Sequence, residues 1–261
     1  MPYPQAYALQ LETHAMVAEG SAMPTLLLLE HPAVITHGRK DGLETNVLAP
    51  ANVLEAAGIQ VIMTERGGTA TYHGPGQLVA YAIFPVGRRV RDFLRRLENV
   101  QIRVLEHFGV QARPNPGYAG VYVGADKIGS IGVAIKRNVA LHGLALNVTT
   151  NLEDFELIVP CGLEDTRMTS MQKLLGSALE MDLVAARLEQ AFRDEFANYR
   201  WGDELQGLEV AYENLALSEP TGDRSVGQSE GQSSQETAAL RSSPASNRVE
   251  LQVEHLGVES A

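Results

Sequence analysis

The sequence predicts an α+β fold, a mixed β-sheet with flanking helices. Six stretches rich in β-branched and aliphatic residues have the length of strands and are joined mainly by short, Gly-bearing turns. Helical stretches interrupt them less regularly than the strand-by-strand alternation of a doubly wound parallel sheet. The two longest helical stretches show the 3.6-residue apolar repeat of helices that pack on a sheet.

The expected strands cover residues 26–30, 61–64, 78–84, 118–123, 127–136 and 141–148. A hairpin-like turn that starts at Gly124 separates the fourth strand from the fifth. The clearest helix covers residues 91–108, where apolar residues recur at the helical period. A second helix is expected at residues 183–199, and a short one at 52–57 with Gly58 as its stop signal.

The composition excludes several classes of protein. Of the 261 residues, 44% are hydrophobic and 20% are charged, as in an ordinary globular protein. The single cysteine, Cys161, can form neither an intramolecular disulfide nor a multi-cysteine metal site, so a reducing compartment, the cytoplasm, is expected. No apolar run approaches the roughly 18 residues of a membrane span. The net charge of −11 argues against nucleic acid as a partner.

The C-terminal end of the chain differs in composition from the rest. Residues 219–248 contain seven serines, one leucine and no aromatic residue. Such a segment cannot bury enough apolar surface to offset the entropy that ordering would cost. We therefore predict a folded domain over residues 1–218 and a disordered Ser/Gln/Glu-rich tail over residues 219–261.

A glycine-rich run, RGGTATYHGPGQLV at residues 66–79, is the densest group of candidate functional residues. Four glycines and a proline fall within eleven residues. Core packing does not explain them, because glycine has no side chain to bury and costs backbone entropy. The run fits a loop whose backbone approaches a ligand, with a tight structural turn as the alternative. Its spacing matches neither the Walker phosphate loop nor the G-x-G-x-x-G fingerprint.

Lys127 and Cys161 are the candidates for reactive side chains. Lys127 precedes the apolar run IGSIGVAI, where a lysine either reaches out from an edge or is desolvated and reactive. Cys161 lies between a proline and a glycine, on a bend that could present its sulfur to a pocket. It is a nucleophile if a cation or base stabilises its thiolate, and a small buried hydrophobe otherwise.

Four histidines allow a competing interpretation, either a zinc site or a Cys-His hydrolase. They are His31, His37, His73 and His142. The sequence contains no H-E-x-x-H or comparable ligand pair, so we expect no metal site and no cofactor.

Five sequence blocks, taken in order, resemble the signatures of the lipoyl(octanoyl) transferases. The blocks are LLLLEHPAVITHGR (26–39), RGGTATYHGPGQLVAY (66–81), KIGSIGVAIKR (127–137), HGLALNV (142–148) and PCGLEDTRMTSM (160–171). Together they extend over about residues 26–175. Five blocks in order are far more specific than any one of them.

The resemblance implies a biotin/lipoate protein ligase-like fold, with residues 1–218 as the octanoyltransferase domain, and a ping-pong acyl transfer. An octanoyl group would pass from octanoyl-acyl carrier protein to a Cys161 thioester, and then to a lysine ε-amine of the lipoyl domains of 2-oxoacid dehydrogenase and glycine cleavage proteins. Lys127 would lower the pKa of the Cys161 thiol. The implied substrate-binding residues are Arg66, Gly67, Gly68, Thr69, Ala70, Thr71, Tyr72, His73, Ser130, Ile131, Gly132, Gly143, Leu144 and Ala145.

The chemistry of a thioester donor fits these residues. Exchange of one thioester for another is nearly balanced and leaves the acyl group activated, which suits a cysteine nucleophile. The Lys127 ammonium would stabilise the thiolate, and the neutral amine could later take a proton from the attacking lysine. His73 could orient Lys127 or the acceptor amine. We expect the turn at residues 74–77 to lie near the oxygen of the tetrahedral intermediate and to offer it backbone N–H groups.

Three other functions compete with acyl transfer. An ATP-dependent lipoate or biotin ligase has the same fold but needs no cysteine, and a cysteine hydrolase or thioesterase would use water in place of the amine. A binding module without activity would need neither Lys127 nor Cys161.

An arginine cluster on and before the helix at residues 91–108 is a candidate dock for the acidic carrier protein. An ordinary exposed helix face is the alternative. The cluster consists of Arg88, Arg89, Arg91, Arg95, Arg96 and Arg103.

Overall fold

Two β-sheets and five helices make up the described part of the chain. The computed structural model describes residues 1–40, 46–115, 117–159, 166–199 and 208–213. They all fall within one compact unit, Met1–Glu219. The helices are α1 (Tyr3–Glu19), α2 (Ala51–Ala56), α3 (Val90–His107), α4 (Met171–Leu175) and α5 (Met181–Phe196), with a 3₁₀ turn at Glu153–Leu157. The strands are β1 (Thr25–Leu29), β2 (Val34–His37), β3 (Gln60–Met63), β4 (Ala70–His73), β5 (Gln77–Ile83), β6 (Arg113–Asn115), β7 (Tyr118–Val123), β8 (Asp126–Lys136), β9 (Val139–Asn147) and β10 (Glu209–Glu213).

Both sheets are mixed. The large sheet has the order β10-β1-β5-β9-β8-β7-β6, with β10 parallel to β1 and all other neighbours antiparallel. The small sheet has the order β3-β2-β4, with β2 parallel to β3 and antiparallel to β4. The predicted α+β class with a mixed sheet is confirmed, and all six expected strands and three expected helices occur within three residues of their expected bounds.

The large sheet is covered on both faces. Alternate residues of β1 and β5, such as Leu26 and Leu78, pack against α3 and α5. The residues between them, such as Leu27 and Val79, pack with Ala6 and Val17 on α1. Strands buried on both faces read as continuous apolar runs, which is why β1 has the sequence TLLLL.

Helix α1 has no apolar periodicity that could predict it. Its buried residues recur at helical spacing, but half of them are polar. They are Tyr3, Ala6, Gln10, Thr13, His14 and Val17. Some of their polar groups have partners elsewhere in the fold: Gln10 Oε1 accepts the N–H of His142 at 2.8 Å. The His14 ring donates to the carbonyl of Lys136 at 3.0 Å.

The glycine-rich run is only partly a loop. Residues 66–68 form an irregular segment, but Ala70–His73 is strand β4, paired with β2. The expectation of one continuous loop up to Gly76 is therefore wrong. Strand β4 is short and polar, with the sequence ATYH, so neither its length nor its hydrophobicity distinguishes it from a loop.

A β-bulge in β8 decides which way Lys127 points. Tyr122 of β7 pairs with Lys127 and the preceding Val121 pairs with Gly129, which leaves Ile128 as an extra residue. Gly129 faces Gln101 of α3, and Ile128 lies in the core beneath the same helix. The extra residue reverses the alternation of side chains, so Lys127 lies on the opposite face of the sheet, away from α3.

Gly129 leaves the space that the buried Gln101 side chain occupies. A Cβ at position 129 would overlap Gln101 Oε1, and Gln101 is fully buried. Gly129→Ala should therefore lower the free energy of unfolding by about 1–3 kcal/mol, the usual cost of overpacking. Urea unfolding would measure it. Shortening the neighbour in the double variant Gly129→Ala/Gln101→Ala should recover part of the loss, and strictly additive effects would contradict the clash.

Candidate active site

A pocket lies between the large sheet and the small sheet. Strands β5, β8 and β9 contribute one side of it, and β2, β4 and the loop before β4 contribute the other. Tyr3 of α1 also lines it. Its empty space, part of it open to solvent, is about 530 Å³.

The pocket floor consists of four small residues on two paired strands. Ser130 of β8 is opposite Ala145 of β9, and Gly132 is opposite Gly143. All four line the pocket, together with Ile131 and Leu144. Because residues at i and i+2 share a face of a strand, these positions form one patch without bulky side chains. No bulky side chain rises from the floor itself, and the Arg66 side chain and the Gly67 carbonyl lie over it at Gly132.

The opposite side of the pocket is formed by β4 and the residues before it. Thr69, Thr71 and His73 line the pocket, as do Arg66, Gly67 and Gly68. The alternate residues Ala70 and Tyr72 do not line it and pack in a separate apolar cluster with Phe155. Of the fourteen residues that the sequence proposes for substrate binding, twelve thus line one pocket, and Ala70 and Tyr72 support it from behind.

Arg66 holds the glycine loop against β2. Its Nη2 donates to the carbonyl of Thr36 at 2.5 Å and to Thr36 Oγ1 at 2.9 Å. Its Nη1 donates to the carbonyl of Gly67 at 3.0 Å. The guanidinium is buried, so these bonds offset much of its desolvation. Arg66 thereby fixes the loop that carries Gly67 and Gly68 beside the pocket.

Lys127 lies next to the floor on the same face of β8. Its side chain is 1% exposed, its Nζ donates to the carbonyl of Ala119 at 3.2 Å, and the ammonium is 5.7 Å from the centre of the Tyr122 ring. Its backbone pairs with the segment that follows Cys161 in sequence. The N–H of Lys127 donates to the carbonyl of Arg167, and the N–H of Thr169 donates to the carbonyl of Lys127, each at 2.8 Å.

Cys161 lies in residues 160–165, outside the described residues. The described ends of that stretch are both tied to the fold. Before it, the N–H of Val159 donates to the carbonyl of Asn46 at 2.9 Å. After it, Arg167 pairs with Lys127. The candidate nucleophile thus comes six residues before the partner of the candidate lysine.

A model of the lipoyl protein ligase A/B catalytic domain matches residues 2–193 of the chain.

The chain belongs to this family.

Curated relatives within the lipoyl protein ligase A/B family are octanoyltransferases. The octanoyltransferase of Deinococcus radiodurans is 54% identical over 235 residues, which cover 84% of this chain and 69% of that protein. The octanoyltransferase of Caldicellulosiruptor bescii is 44% identical over 199 residues, or 74% of this chain and 87% of that protein. The resemblance to the lipoyl(octanoyl) transferases and the predicted enzyme class, an octanoyltransferase of protein lipoylation, are confirmed.

Solved structures show the same fold at low sequence identity. A putative lipoate protein ligase from T. acidophilum with bound lipoic acid has a TM-score of 0.60 and 17% identity, covering 78% of this chain and 83% of that one. A lipoate-protein ligase A bound with ATP has a TM-score of 0.59, also with 17% identity and the same coverage. The predicted ligase-like fold is confirmed.

Five residues that line the pocket of this family member are absent from the sequence-based set. They are Tyr3, Thr36, Val79, Tyr81 and His142. Four of them fall inside the recognised sequence blocks, and only the pairing of strands shows that they face the pocket. Tyr3 is on α1, outside those blocks, and no signal in the sequence identifies it.

Three buried histidines surround the inner side of the pocket. Burial lowers the pKa of His31 to about 4, that of His73 to about 3 and that of His142 to about 4. They are therefore neutral near pH 7. The His31 ring donates from Nδ1 to the carbonyl of Met1 at 2.7 Å, and its Nε2 accepts from the Tyr81 hydroxyl at 2.6 Å.

His142 adopts a backbone conformation that is uncommon for a residue with a side chain. Its φ is +62°, and its ring stacks on Tyr7 with centroids 5.9 Å apart. Its Nε2 is 3.8 Å from Glu65 Oε2. Burial raises the pKa of Glu65, but hydrogen bonds from Tyr7 and Lys136 outweigh it and hold the pKa at about 2. His142 thus lies between an aromatic ring and a carboxylate that stays ionised.

The turn at residues 74–77 does not offer the expected oxyanion donors. The N–H of Gly76 donates to Glu30 Oε1 at 2.6 Å, and the N–H of Gln77 donates to the carbonyl of Gly74 at 3.1 Å. Pro75 has no N–H. The expectation is therefore wrong for Gly76 and Gln77, whose N–H groups hold the turn itself together.

Half of the arginine cluster joins α3 to the adjacent helix. Arg96 and Arg103 form ion pairs with Glu195 of α5 at 3.6 and 3.2 Å. The Arg89 guanidinium lies 4.2 Å from the centre of the Tyr199 ring. Moreover, α3 packs on the face of the large sheet opposite to α1 and the pocket. The structure therefore favours the alternative, an ordinary exposed helix face, over a dock for the carrier protein.

The described residues contain neither a metal-binding cluster nor a membrane-spanning helix. No three His, Cys, Asp or Glu side chains among them come together as a metal site. No described helix is both long and apolar enough to cross a membrane.

The buried histidines predict loss of stability in mild acid. The unfolded chain takes up protons at histidine below pH about 6.5, whereas the folded chain resists until pH about 3–4, so stability falls as the pH falls through this window. At pH 5 each histidine should cost about 2 kcal/mol relative to neutral pH. Urea unfolding at pH 7.5 and pH 5 would measure the difference.

Replacing one of these histidines should reduce that difference. His142→Asn suits the test because asparagine tolerates a positive φ, and it should remove about 2 kcal/mol of the pH-dependent loss. His107→Asn, at the exposed end of α3, is the matched control. If His142→Asn and the control showed the same pH dependence as wild type, the buried His142 would not be responsible.

Proposed function

We propose that the chain transfers an octanoyl group from octanoyl-acyl carrier protein, through a thioester on Cys161, to a lysine ε-amine of lipoyl domains in 2-oxoacid dehydrogenase and glycine cleavage proteins. The observation that supports this most strongly is the convergence of three separate sequence stretches on one pocket with a small-residue floor. An apolar acyl chain fits such a floor, and Lys127 lies at its end on the same face of β8.

The first step is an exchange of thioesters. The Cys161 thiolate attacks the carbonyl carbon of the donor thioester and the C–S bond to the carrier breaks. The leaving carrier thiolate takes a proton from the Lys127 ammonium, which leaves the Lys127 amine neutral. The bond that forms is of the same kind as the bond that breaks, so little free energy is lost. The ammonium of Lys127 stabilises the Cys161 thiolate before the attack, and it is itself held by the Ala119 carbonyl.

The second step forms the amide. The neutral ε-amine of the acceptor lysine attacks the octanoyl thioester, the C–S bond to Cys161 breaks, and the amine loses a proton. Neutral Lys127 accepts that proton, which regenerates the ammonium for the next cycle.

The catalytic domain is assigned to residues 1–218. Every residue that lines the pocket precedes residue 146, and the described part of the chain ends at residue 213. The tail at residues 219–261 lies outside the described residues and is given no part in the chemistry.

Cys161 should gain one octanoyl group from the donor alone. Incubation with octanoyl-acyl carrier protein, followed by intact mass measurement, should show a single octanoyl adduct on wild type. Cys161→Ser should show none, because an alcohol is a far poorer nucleophile than a thiolate. An undiminished adduct in Cys161→Ser would refute the proposed nucleophile. Octanoate with ATP is the control for ligase chemistry and should give no adduct.

Loss of Lys127 should slow acylation most at the pH values at which the Cys161 thiolate depends on a nearby cation. Lys127→Ala should slow acylation more at neutral pH than at pH 9, because high pH ionises the thiol without help. Lys127→Met, of similar length but uncharged, should behave alike and separates loss of charge from loss of packing. The rate of adduct formation by mass spectrometry across this pH range is the measurement. Equal slowing at every pH would give the lysine another role.

A further inference from the structure

A chain of buried side-chain hydrogen bonds connects the pocket with the backbone partner of Lys127. His73 Nδ1 and Gln77 Oε1 are 2.7 Å apart, Gln77 Nε2 donates to Asn147 Oδ1 at 2.9 Å, and Asn147 Nδ2 donates to the carbonyl of Thr169 at 3.0 Å. We call His73, Gln77 and Asn147 the amide relay. All three are buried, Gln77 and Asn147 almost completely.

The direction of every bond in the amide relay follows from its two ends. The carbonyl of Thr169 can only accept, so the facing atom of Asn147 is its NH₂ group and Oδ1 faces Gln77. Gln77 must then present its own NH₂ group to Asn147, and the same group donates to the carbonyl of Tyr72 at 3.2 Å. Gln77 Oε1 is left for His73 and can only accept, so the proton of His73 is on Nδ1.

His73 therefore turns an unprotonated nitrogen toward the pocket. Its Nδ1 edge faces Gln77, which does not line the pocket, whereas Nε2 accepts a long hydrogen bond, at 3.4 Å, from the hydroxyl of Thr36, which does. An amine bound in the pocket would take the place of that hydroxyl. A neutral imidazole with its proton on Nδ1 has a lone pair on Nε2. That nitrogen accepts a hydrogen bond from an N–H group and cannot donate one.

We propose that Gln77 and Asn147 are positioning residues of the acyl transfer, which hold His73 in the tautomer whose Nε2 accepts a hydrogen bond from the amine of the acceptor lysine. The hydrogen bond orients the nitrogen lone pair of the amine for attack on the thioester. The kinetic part of this inference rests on the proposed function, whereas the tautomer of His73 does not.

The far end of the amide relay has a second consequence. The carbonyl of Thr169 receives Asn147, while the N–H of the same residue donates to the carbonyl of Lys127 at 2.8 Å. Asn147 thus fixes Thr169 from one side and Lys127 fixes it from the other. The relay couples the orientation of His73 to the placement of the segment that follows Cys161.

The groups around His73 come from several elements, and some lower its pKa while others raise it. His31, after β1, lies with its ring centroid 5.7 Å from that of His73. The charges of Arg66 and of His142, when protonated, disfavour an imidazolium, while Gln77 Oε1 favours it. Burial is the largest effect, and it keeps His73 neutral at the pH of the reaction.

The tautomer can be observed directly in the wild-type chain. Long-range ¹H–¹⁵N correlation of ¹⁵N-histidine-labelled enzyme distinguishes a protonated ring nitrogen from a bare one, and His73→Asn assigns the signal. We expect Nδ1 protonated and Nε2 bare from pH 5.5 to pH 8. Protonation on Nε2 instead would overturn the inference whether or not the enzyme transfers octanoyl groups.

Gln77→Glu removes the amide donor to Asn147 and Tyr72 and places a negative charge beside His73. The carboxylate still accepts from His73 Nδ1, but its negative charge favours the imidazolium, so the pH at which His73 takes up its second proton should rise. Below that pH, Nε2 carries a proton and cannot accept, so transfer from isolated octanoyl-enzyme to a lipoyl-domain acceptor should fall with pH, up to about 100-fold. Wild type should show no such fall over this range.

Asn147→Asp tests the other end. Oδ1 still accepts from Gln77, so His73 should keep its tautomer, but the carboxylate cannot donate to Thr169. Formation of octanoyl-enzyme should then slow by about 10- to 100-fold, because Thr169 is no longer held. Gln190→Glu, the same change as Gln77→Glu on the exposed face of α5, is the matched control and should leave both steps and the NMR signals unchanged.

These outcomes distinguish a positioning role of the amide relay from a role in packing alone. Thermal unfolding by circular dichroism checks that every variant is folded. A folded Gln77→Glu variant that slows both steps equally at all pH values would reduce the relay to a structural role and overturn the inference. If wild type forms no octanoyl-enzyme, the proposed function fails, while the His73 tautomer still decides whether the relay is directed as described.

Discussion

The alternation of side chains along β8 and β9, interrupted by one extra residue, is the constraint on which the site depends. Alternation places Ser130, Gly132, Gly143 and Ala145 together on one face, while their larger neighbours pack beneath α3 and α5. Without the bulge at Ile128, Lys127 would follow the odd-numbered residues of its strand toward α3. The extra residue, Ile128, thus places the buried amine of Lys127 on the same face of the sheet as the small-residue floor of the pocket.

Burial on both faces of the sheet sets the electrostatic character of the site. Several polar groups at the pocket have hydrogen-bond partners within the protein, as Arg66 has on Thr36 and Tyr81 has on His31. Histidines in such surroundings lose their affinity for protons. They become fixed donors and acceptors with defined tautomers, which makes them suited to orienting a reactant and unsuited to titrating at neutral pH.

The sequence predicts the parts of this molecule that follow a simple rule. Helix α3 carries clear periodicity, six strands are recognisable as short stretches rich in apolar residues, and most of the pocket follows from residue blocks that resemble a known family. Helix α1 cannot be predicted in this way, because the polar residues Gln10, Thr13 and His14 occupy buried positions. Its contacts with the rest of the fold, and not an apolar pattern, determine which face is buried.

Long-range pairing explains the other differences between prediction and structure. Strand β4 is too short and polar to be distinguished from a loop, and it exists because β2 pairs with it. The turn at Gly76 looked suited to binding an oxyanion, but Glu30, 46 residues earlier, accepts its N–H group. The arginines of α3 likewise could not reveal from spacing alone that Glu195 of another helix binds two of them.

Helix α1 forms part of the pocket lining without belonging to either sheet. Tyr3 lines the pocket, yet α1 adds no strand to either sheet. It is joined to β8 and β9 largely through side chains such as Gln10 and His14. Substitutions on this helix can therefore change the depth of the pocket while the backbone pairing that holds Lys127 and the floor stays intact. The length of chain that the pocket accommodates is thus open to change through α1 without a change in the core.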